Sequence, residues 1–181
     1  MTAPSSPVIR VATVKDCDAI GRVHVAAWRE TYRGLIPNRI LDSLSEVERA
    51  AQWRSGLLRG TKGPIVFVAE AADGSMIGFG AAGPARHPAL GCDSEITALY
   101  VLRSAQENSI GSGLLQYLAR ALEDRGRGSM GLWVLTANDA ARAFYERLGG
   151  SAGATRVDQS DGWSCHETAY AWADLKIRAM E

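Results

Sequence analysis

The 181-residue sequence lacks the features that mark several protein classes. Its three cysteines, Cys17, Cys92 and Cys165, lie far apart and form neither a CxxC pair nor a zinc-like cluster, so we expect free thiols in a reducing compartment. No apolar run approaches the roughly 18 residues that a membrane helix needs. The opening MTAPSSPVIR also lacks the apolar core of a signal peptide. We therefore expect a cytoplasmic protein with no membrane partner.

Neither sign of charge is in excess, because 20 Lys and Arg residues balance 20 Asp and Glu residues. This balance disfavours nucleic acid as the main partner. A phosphorylated ligand stays compatible with it, since backbone amides can hold phosphate without formal charge. His24, His87 and His166 have no ligand-spaced partners, so we expect them to be structural or solvated and expect no metal site.

One common motif is absent and another is out of place. The sequence contains no GxxxxGK phosphate loop. Residues 78–83 read GxGxxG, but they lie in a predicted hairpin strand and run into Pro84 instead of a helix. These glycines therefore favour a bulge or close backbone packing over a dinucleotide site.

Apolar periodicity predicts one domain over residues 1–181, with residues 1–7 as a flexible tail. Four helices are expected, at residues 13–32, 37–58, 109–122 and 138–148. Strands are expected at residues 8–12, 65–70, 76–82, 96–102 and 130–135, with two more around a turn at 158–162, the last of them at 166–172. This order predicts an α/β (α+β) fold, a mixed and mostly antiparallel sheet of about seven strands with helices on both faces.

The stretch from Glu95 to Leu122 carries the strongest functional pattern. A strand leads through a polar loop into a helix whose first backbone N–H groups have no intrahelical partner. The helix dipole adds partial positive charge at the same place. Small residues would let a phosphate approach the backbone closely, namely Ser109, Gly111, Ser112 and Gly113. We therefore expect a phosphorylated cofactor at this helix start.

Two segments resemble motifs of the GCN5-related N-acetyltransferase (GNAT) family. EITALYVLRSAQENSIGSGLL is similar to its cofactor motif, (Arg/Gln)-x-x-Gly-x-(Gly/Ala), through Gln106, Ser109 and Gly111. NDAARAFYERLGG is similar to the next motif, Asn-x-x-Ala-x-x-Phe-Tyr-x-x-x-Gly, through Asn138, Ala141, Phe144, Tyr145 and Gly149. Ser109 departs from the usual glycine, and Arg103 stands where proline is common and would supply charge near the cofactor.

The resemblance implies the acyl-CoA N-acyltransferase fold, with acetyl-CoA bound where the central strand and the strand at 130–135 splay apart. Backbone amides near Tyr100, Val101 and Leu102 would pair with the pantetheine arm. Asn138 would hydrogen-bond the pantetheine or thioester region. Amides from residues 106–113 would hold the pyrophosphate, among them those of Gln106, Ser109, Ile110, Gly111, Ser112 and Gly113.

The resemblance also implies two proton transfers. An amine attacks only when neutral, and an alkyl ammonium has a pKa near ~10. Glu95, at the start of the central strand, is the candidate base, directly or through a water; a solvated edge carboxylate is the alternative. Tyr145 is the candidate acid that returns a proton to the leaving thiolate, and a packed helix aromatic is the alternative. A backbone N–H of the central strand would stabilise the thioester oxyanion.

The acceptor is expected to be a primary amine of a small molecule or peptide, acetylated by direct attack in a ternary complex. Trp28 and Tyr32 lie four residues apart and would form an aromatic wall for it, unless both belong to the core. Two further functions stay open at this point, a non-catalytic CoA-binding sensor and an acyltransferase that uses a longer acyl-CoA. Exposed edge strands of such sheets often pair between chains, which also leaves a homodimer open.

Overall fold

A computed structural model of the chain describes residues 7–106, 109–160 and 163–177. The predicted tail before Pro7, Glu107 and Asn108 of the predicted phosphate loop, and Asp161 and Gly162 of the predicted turn lie outside the described residues. The α-helices among these residues are α1 (Cys17–Tyr32), α2 (Asn38–Asp42), α3 (Glu46–Leu57), α4 (Ile110–Glu123) and α5 (Asp139–Arg147). The strands in the same described ranges are β1 (Val8–Val11), β2 (Ile65–Glu70), β3 (Met76–Pro84), β4 (Ser94–Val101), β5 (Met130–Leu135), β6 (Ser151–Ser160) and β7 (Trp163–Trp172).

The strands form one sheet in the order β1-β2-β3-β4-β5-β7-β6. β1 pairs antiparallel with β2, and β7 pairs antiparallel with both β5 and β6. β4 and β5 are parallel and are joined by the pair of Glu95 with Gly131. The sheet is thus mixed and mostly antiparallel, which confirms the predicted fold class.

The chain divides into two compact units. The first contains the described residues of Met1–Ala81 together with Ala98–Leu118. In it α1 packs against α3 so closely that a methyl group on Gly21 would lie 2.5 Å from the carbonyl oxygen of Glu46. Its core holds buried residues of α1, β2, β3 and β4 and the residue that follows β1, namely Ala12, Ile20, Val23, Val66, Val68, Phe79, Ala81 and Ala98.

The second unit contains the described residues of Ala82–Thr97 together with Ala119–Glu181. Strands β5, β6 and β7 form most of it, and α5 follows β5. Its largest fully buried side chains are Leu122, Met130, Leu148 and Tyr170. Strands β3 and β4 each contribute residues to both units.

The predicted helix at 37–58 is wrong in one respect, because it is two helices. Ser43 ends α2, with its hydroxyl donating to the carbonyl of Ile40 at 2.9 Å. Ser45 then caps α3 by accepting from the amide of Glu48. Serine favours helix ends because its side chain competes for backbone hydrogen bonds.

The final hairpin is longer than predicted. β6 continues through Ser160, which pairs with Trp163 at the start of β7, so Asp158 is a strand residue paired with Cys165. The predicted close packing of the glycines at 78–83 is confirmed at Gly78, where an added methyl group would lie 2.9 Å from the carbonyl oxygen of Tyr100. Among the described helices, none is long and apolar enough to cross a membrane.

Candidate functional site

In the first unit, the segment predicted to hold phosphate runs from the end of β4 to the start of α4. Ser109, directly before α4, has φ +56°. This left-handed conformation costs a residue with a Cβ atom about 1–2 kcal/mol, and glycine adopts it freely. The glycine of the resembling motif would suit this left-handed backbone, whereas Ser109 adopts it at a cost in free energy.

The start of α4 offers fewer donors than predicted. The amide of Gly113 donates to the carbonyl of Ser109 at 2.9 Å and so closes the first turn of the helix. An added methyl group on Gly113 would lie 2.8 Å from Cδ1 of Ile9, so this glycine serves packing. The amides of Ile110, Gly111 and Ser112 precede that first bond and have no acceptor within the helix. The donor row is therefore 110–112, and the predicted phosphate contact of the Gly113 amide is corrected.

The end of β4 presents one outward amide where three were predicted. The amide of Leu102 donates to the carbonyl of Ile77 in β3 at 2.9 Å. Successive residues of a strand direct their amides to opposite edges, so Tyr100 shares the direction of Leu102 while Val101 points away from β3. The carbonyl of Val101 accepts from Nε2 of Gln106 at 3.1 Å, which fixes the loop against this edge. Val101 is thus the amide that an extended ligand would meet.

Arg103 is used differently from the prediction that it supplies charge to the cofactor. Its amide donates to the carboxylate of Glu30 at 2.8 Å, and its guanidinium donates to the carbonyl of the same residue at 2.6 Å. A proline here would have no amide to donate. Arg103 therefore ties the loop after β4 to α1.

Trp28 and Tyr32, the predicted aromatic wall, are in contact. Their rings meet edge to face with centroids 5.1 Å apart, and both side chains are half-buried. The indole Nε1 of Trp28 is buried and has no hydrogen-bond partner among the described residues. The guanidinium of Arg49 lies over the same ring at 5.6 Å. Neither ring belongs to the buried core cluster of the unit, which is compatible with a wall.

His24 joins this aromatic group, which the sequence did not indicate. Its ring stacks on Tyr100 at 5.1 Å, and its Nδ1 accepts from the indole of Trp53 at 3.1 Å. Burial, with a smaller effect from Arg49, lowers the pKa of His24 to about 3. The imidazole is therefore neutral near pH 7 and acts as a packing and hydrogen-bonding group, as expected for a structural histidine.

In the second unit, Glu95 is buried and fully engaged. Its Oε1 accepts from Nη2 of Arg86 at 2.6 Å, while its Oε2 accepts from Nε at 3.1 Å and from the Arg86 amide at 3.0 Å. Burial alone would raise the pKa of Glu95, but these hydrogen bonds and the charge of Arg86 lower it overall. The alternative of a solvated edge carboxylate is wrong, because the side chain is only 3% exposed.

Asn138 and Tyr145 both lie where the sequence placed them, on the turn after β5 and on α5. Asn138 caps the helix, its Oδ1 accepting from the amide of Ala141 at 3.2 Å. That oxygen is occupied, so the side-chain NH₂ is the group left for a ligand. The ring of Tyr145 lies 6.0 Å from Tyr170 and 6.1 Å from Trp172, both on β7.

Glu95 and Tyr145 lie on opposite faces of the sheet within this unit. Glu95 is in register with Gly131, whereas Tyr170, which contacts Tyr145, is in register with Leu132. Consecutive side chains of a strand project to opposite faces, and residues in register share a face. The two candidate proton-transfer groups therefore approach this part of the sheet from opposite sides.

Sequence reasoning missed two groups that shape these positions. Arg86 lies in the irregular segment between β3 and β4, where no periodicity indicates which partner a basic residue has. Tyr170 lies in a predicted strand and belongs to neither motif, although its hydroxyl bonds two residues of α5. Only the register of β7 beside β5 brings it there, and the sequence does not show that register.

Known proteins are similar to this chain in sequence and in fold. The sequence model of the acetyltransferase (GNAT) family matches residues 24–150. The uncharacterized N-acetyltransferase YuaI of Bacillus subtilis (strain 168) is 35% identical over 167 residues, covering 92% of this chain and 93% of that protein.

Two solved structures have the same fold. The ribosomal-protein-alanine N-acetyltransferase of Brucella melitensis superposes with a TM-score of 0.71 at 26% identity, covering 92% of this chain and 99% of the other. The PaiA N-acetyltransferase of Thermoplasma acidophilum, solved in complex with coenzyme A, gives 0.70 at 21% identity, covering 91% and 98%. Together with the two motifs and the sheet order, the family match leads to one conclusion: this chain belongs to the GNAT family of acetyltransferases.

Proposed function

We propose that the protein transfers the acetyl group of acetyl-CoA to a primary amine of a small molecule or peptide, by direct attack in a ternary complex. The observation that carries this proposal is the donor row of the first unit. The outward amide of Val101 is followed by the amides of residues 110–112 at the start of α4. An extended, amide-rich arm ending in a pyrophosphate matches such a row in order and in chemistry.

The cofactor is proposed from this fit and from the relatives. The Thermoplasma neighbour was solved with coenzyme A, and the first motif is the family's cofactor motif. Gln106 would hold the loop, and Ser109 would aim the amides of Ile110 and Gly111 at the pyrophosphate. Acetyl-CoA supplies an activated thioester carbonyl to an attacking amine.

Tyr145 is proposed as the acid. When the amine nitrogen bonds to the acetyl carbon and the carbon–sulfur bond breaks, the departing thiolate needs a proton, which the phenol provides. The contacts of Tyr145 with two aromatic rings of β7 support this role, since they hold the side chain in place. Asn138 fixes the first turn of the same helix.

Glu95 is proposed as the base, once the acceptor has displaced Arg86. The guanidinium side chain is 68% exposed and the carboxylate 3% exposed, so the arginine is the mobile partner of the pair. An arriving ammonium group is also a cation with N–H donors and would take the same oxygens. Because burial disfavours the charged carboxylate, transfer of a proton from the bound ammonium to Glu95 would neutralise both groups in a buried place.

The acceptor is proposed to contact Trp28 and Tyr32. The buried indole N–H of Trp28 has no partner among the described residues, and a ligand oxygen would satisfy it. The Brucella relative is named for acetylating a ribosomal protein's alanine, which favours a peptide amine within the proposed range of acceptors.

The experiment is an acceptor screen by thiol release, with acetyl-CoA, longer acyl-CoAs and a mixed panel of amines and peptides. We expect release that depends on both acetyl-CoA and an amine, with intersecting initial-rate lines. Tight coenzyme A binding without release would instead establish a non-catalytic sensor, and faster release from a longer acyl-CoA would establish a different acyl donor.

The proposal also includes a homodimer and a cytoplasmic location. β6 is the last strand in the sheet order and spans Ser151–Ser160, so one of its edges has no neighbouring strand within the described sheet. We propose that it pairs with a second copy in a homodimer, which light scattering would test. Free Cys17, Cys92 and Cys165 support a cytoplasmic location.

A further inference from the structure

Helix α5 is hydrogen-bonded to β7 through a buried tyrosine. The side chain of Tyr170 is fully buried, and its hydroxyl donates to Oε1 of Glu146 at 2.6 Å. The hydroxyl oxygen of Tyr170 also accepts from Nε of Arg142 at 3.2 Å. One hydroxyl thus uses both its donor and its acceptor capacity on two residues of α5.

The two residues are four apart, so they lie one above the other on a single face of the helix. Arg142 also donates from Nη1 to the carbonyl of Thr136 at 3.2 Å, which extends the attachment to the turn after β5. Thr136 in turn donates its amide to the carbonyl of His166 in β7 at 2.9 Å. The helix is therefore held along one face and at its beginning.

Its C-terminal end is attached separately. The indole of Trp172 donates to the carbonyl of Leu148 at 3.0 Å, which fixes the position of the helix end along β7. The amide of Gly150 donates to the carbonyl of Tyr145 at 2.9 Å and closes the helix end locally. The contacts of Tyr170 with residues 142 and 146 are the ones that limit rotation about the helix axis.

We propose that the hydroxyl of Tyr170 is a positioning group for the phenol of Tyr145. Tyr145 directly precedes Glu146 in the helix, so a rotation of α5 that breaks the Tyr170–Glu146 bond also re-aims the Tyr145 side chain. The rings of Tyr145 and Tyr170 lie 6.0 Å apart, so a rotation of α5 relative to β7 would change this contact. This inference rests on the proposed role of Tyr145 as the acid.

The effect on rate follows from geometry. A general acid works only within hydrogen-bond reach of the atom that it protonates, and a displacement of about 1 Å can cost up to 100-fold in rate. The hydroxyl does not touch the reacting atoms and is not a catalytic group. Its removal should leave coenzyme A binding intact and lower the rate of the chemical step.

The experiment is a double-mutant cycle of Tyr170→Phe and Tyr145→Phe, measuring kcat and the KM for acetyl-CoA. We expect Tyr170→Phe to lower kcat about tenfold with an unchanged KM for acetyl-CoA. In the Tyr145→Phe background, the same change should have no further effect, because there is no phenol left to position. Tyr117→Phe, which removes the hydroxyl of an exposed tyrosine on α4, is the matched control and should keep wild-type kcat.

The outcomes separate this inference from the proposed function. Independent, multiplicative losses in the cycle, or full activity of Tyr170→Phe, would overturn the positioning role while the acid role of Tyr145 stands. Full activity of Tyr145→Phe would overturn both. If Tyr170→Phe does not fold, Glu146→Ala serves in its place, since it removes the hydroxyl's acceptor at an exposed position and leaves β7 intact. It should show the same non-additivity with Tyr145→Phe.

Discussion

Arg86 binds both carboxylate oxygens of Glu95, and the two members of this pair differ sharply in exposure. Three hydrogen bonds of 2.6, 3.0 and 3.1 Å join them, yet the arginine side chain is 68% exposed and the carboxylate 3% exposed. An exposed ion-pair partner loses little free energy when it returns to water. A buried carboxylate left without its partner is strongly destabilised. The pair therefore keeps the carboxylate ionised, because Arg86 compensates the charge that burial disfavours.

The first prediction concerns the pH dependence of activity. If Glu95 is the base, the acidic limb of kcat/KM reports its pKa, which Arg86 lowers. Arg86→Gln removes the charge, so burial should raise the pKa of Glu95 and move the limb to higher pH. Glu95→Gln should abolish the limb and lower the rate at neutral pH. The measurement is initial rate against pH for the three proteins with one amine.

The control for this series is Arg59→Gln, a change at an exposed arginine after α3, which should leave the limb where it is. A Glu95→Gln enzyme that keeps the wild-type acidic limb would clear Glu95 of the base role. In that case the Arg86–Glu95 pair would be structural, and both variants would lose stability without a change in the pH profile.

The second prediction concerns Ser109, whose φ of +56° is expensive for serine. Ser109→Gly removes about 1–2 kcal/mol of left-handed strain but adds about 0.4–1 kcal/mol of unfolded-state entropy. The net expectation is a stabilisation between about 0 and about 1.6 kcal/mol in urea unfolding. Affinity for coenzyme A should be kept or improved, because the amides of residues 110–112 keep their direction.

Ser55→Gly is the matched control for that change. Ser55 is exposed in the last turn of α3, where the helix is right-handed, so glycine there should destabilise by up to about 0.5 kcal/mol. Opposite signs for the two Ser→Gly variants would confirm the strain at Ser109. A loss of stability at both positions would contradict it.

Much of the fold could be predicted because local patterns and tertiary structure agree. The strands at 65–70 and 130–135 are found at the predicted residues, and the helix that follows Asn138 is Asp139–Arg147. Alternating and continuous apolar runs with β-branched residues bounded the strands, and Asn138 marked the helix start. The same agreement placed Ser109 and Gly111 at the beginning of α4.

The hydrogen bonding of individual groups could not be predicted in this way. The sequence puts three consecutive amides near Tyr100, but only the observed bond from Leu102 to Ile77 shows that Val101 faces outward. The sequence also shows that Glu95 is a carboxylate at the start of a strand. It does not show that Arg86 is its partner, because that contact depends on how the preceding loop folds back. Such pairings depend on register and loop path, which residue types do not encode locally.

The third prediction concerns the pH dependence of stability. His24 has a folded pKa of about 3, and an unfolded histidine has a pKa near ~6.5. As the pH falls from about 6.5 to about 3, the unfolded chain binds a proton that the folded protein does not, so the unfolding free energy declines. The slope from this group is at most about 1.4 kcal/mol per pH unit.

His24→Gln removes the titrating group, so its stability should fall less over the same range. Urea unfolding between pH 7.5 and 4.5 would measure both proteins, and the gap between them should narrow as the pH falls. His87→Gln, at an exposed histidine, is the control and should follow the wild-type curve. Parallel curves for wild type and His24→Gln would show that His24 is protonated in the folded state.

The fourth prediction tests Tyr145 directly. Tyr145→Phe keeps the ring that contacts Tyr170 and Trp172, so helix packing and coenzyme A affinity should change little. It removes the proton that the leaving thiolate would receive, so kcat should fall by more than about tenfold. Thiol release under saturating acetyl-CoA, with coenzyme A affinity from calorimetry, separates the two quantities. Because a thiolate leaves unaided more readily when its own pKa is low, an acyl thioester of a more acidic thiol should recover part of the lost rate. Unchanged turnover in Tyr145→Phe would remove this tyrosine from the mechanism and leave it a structural role, which includes the contacts with β7.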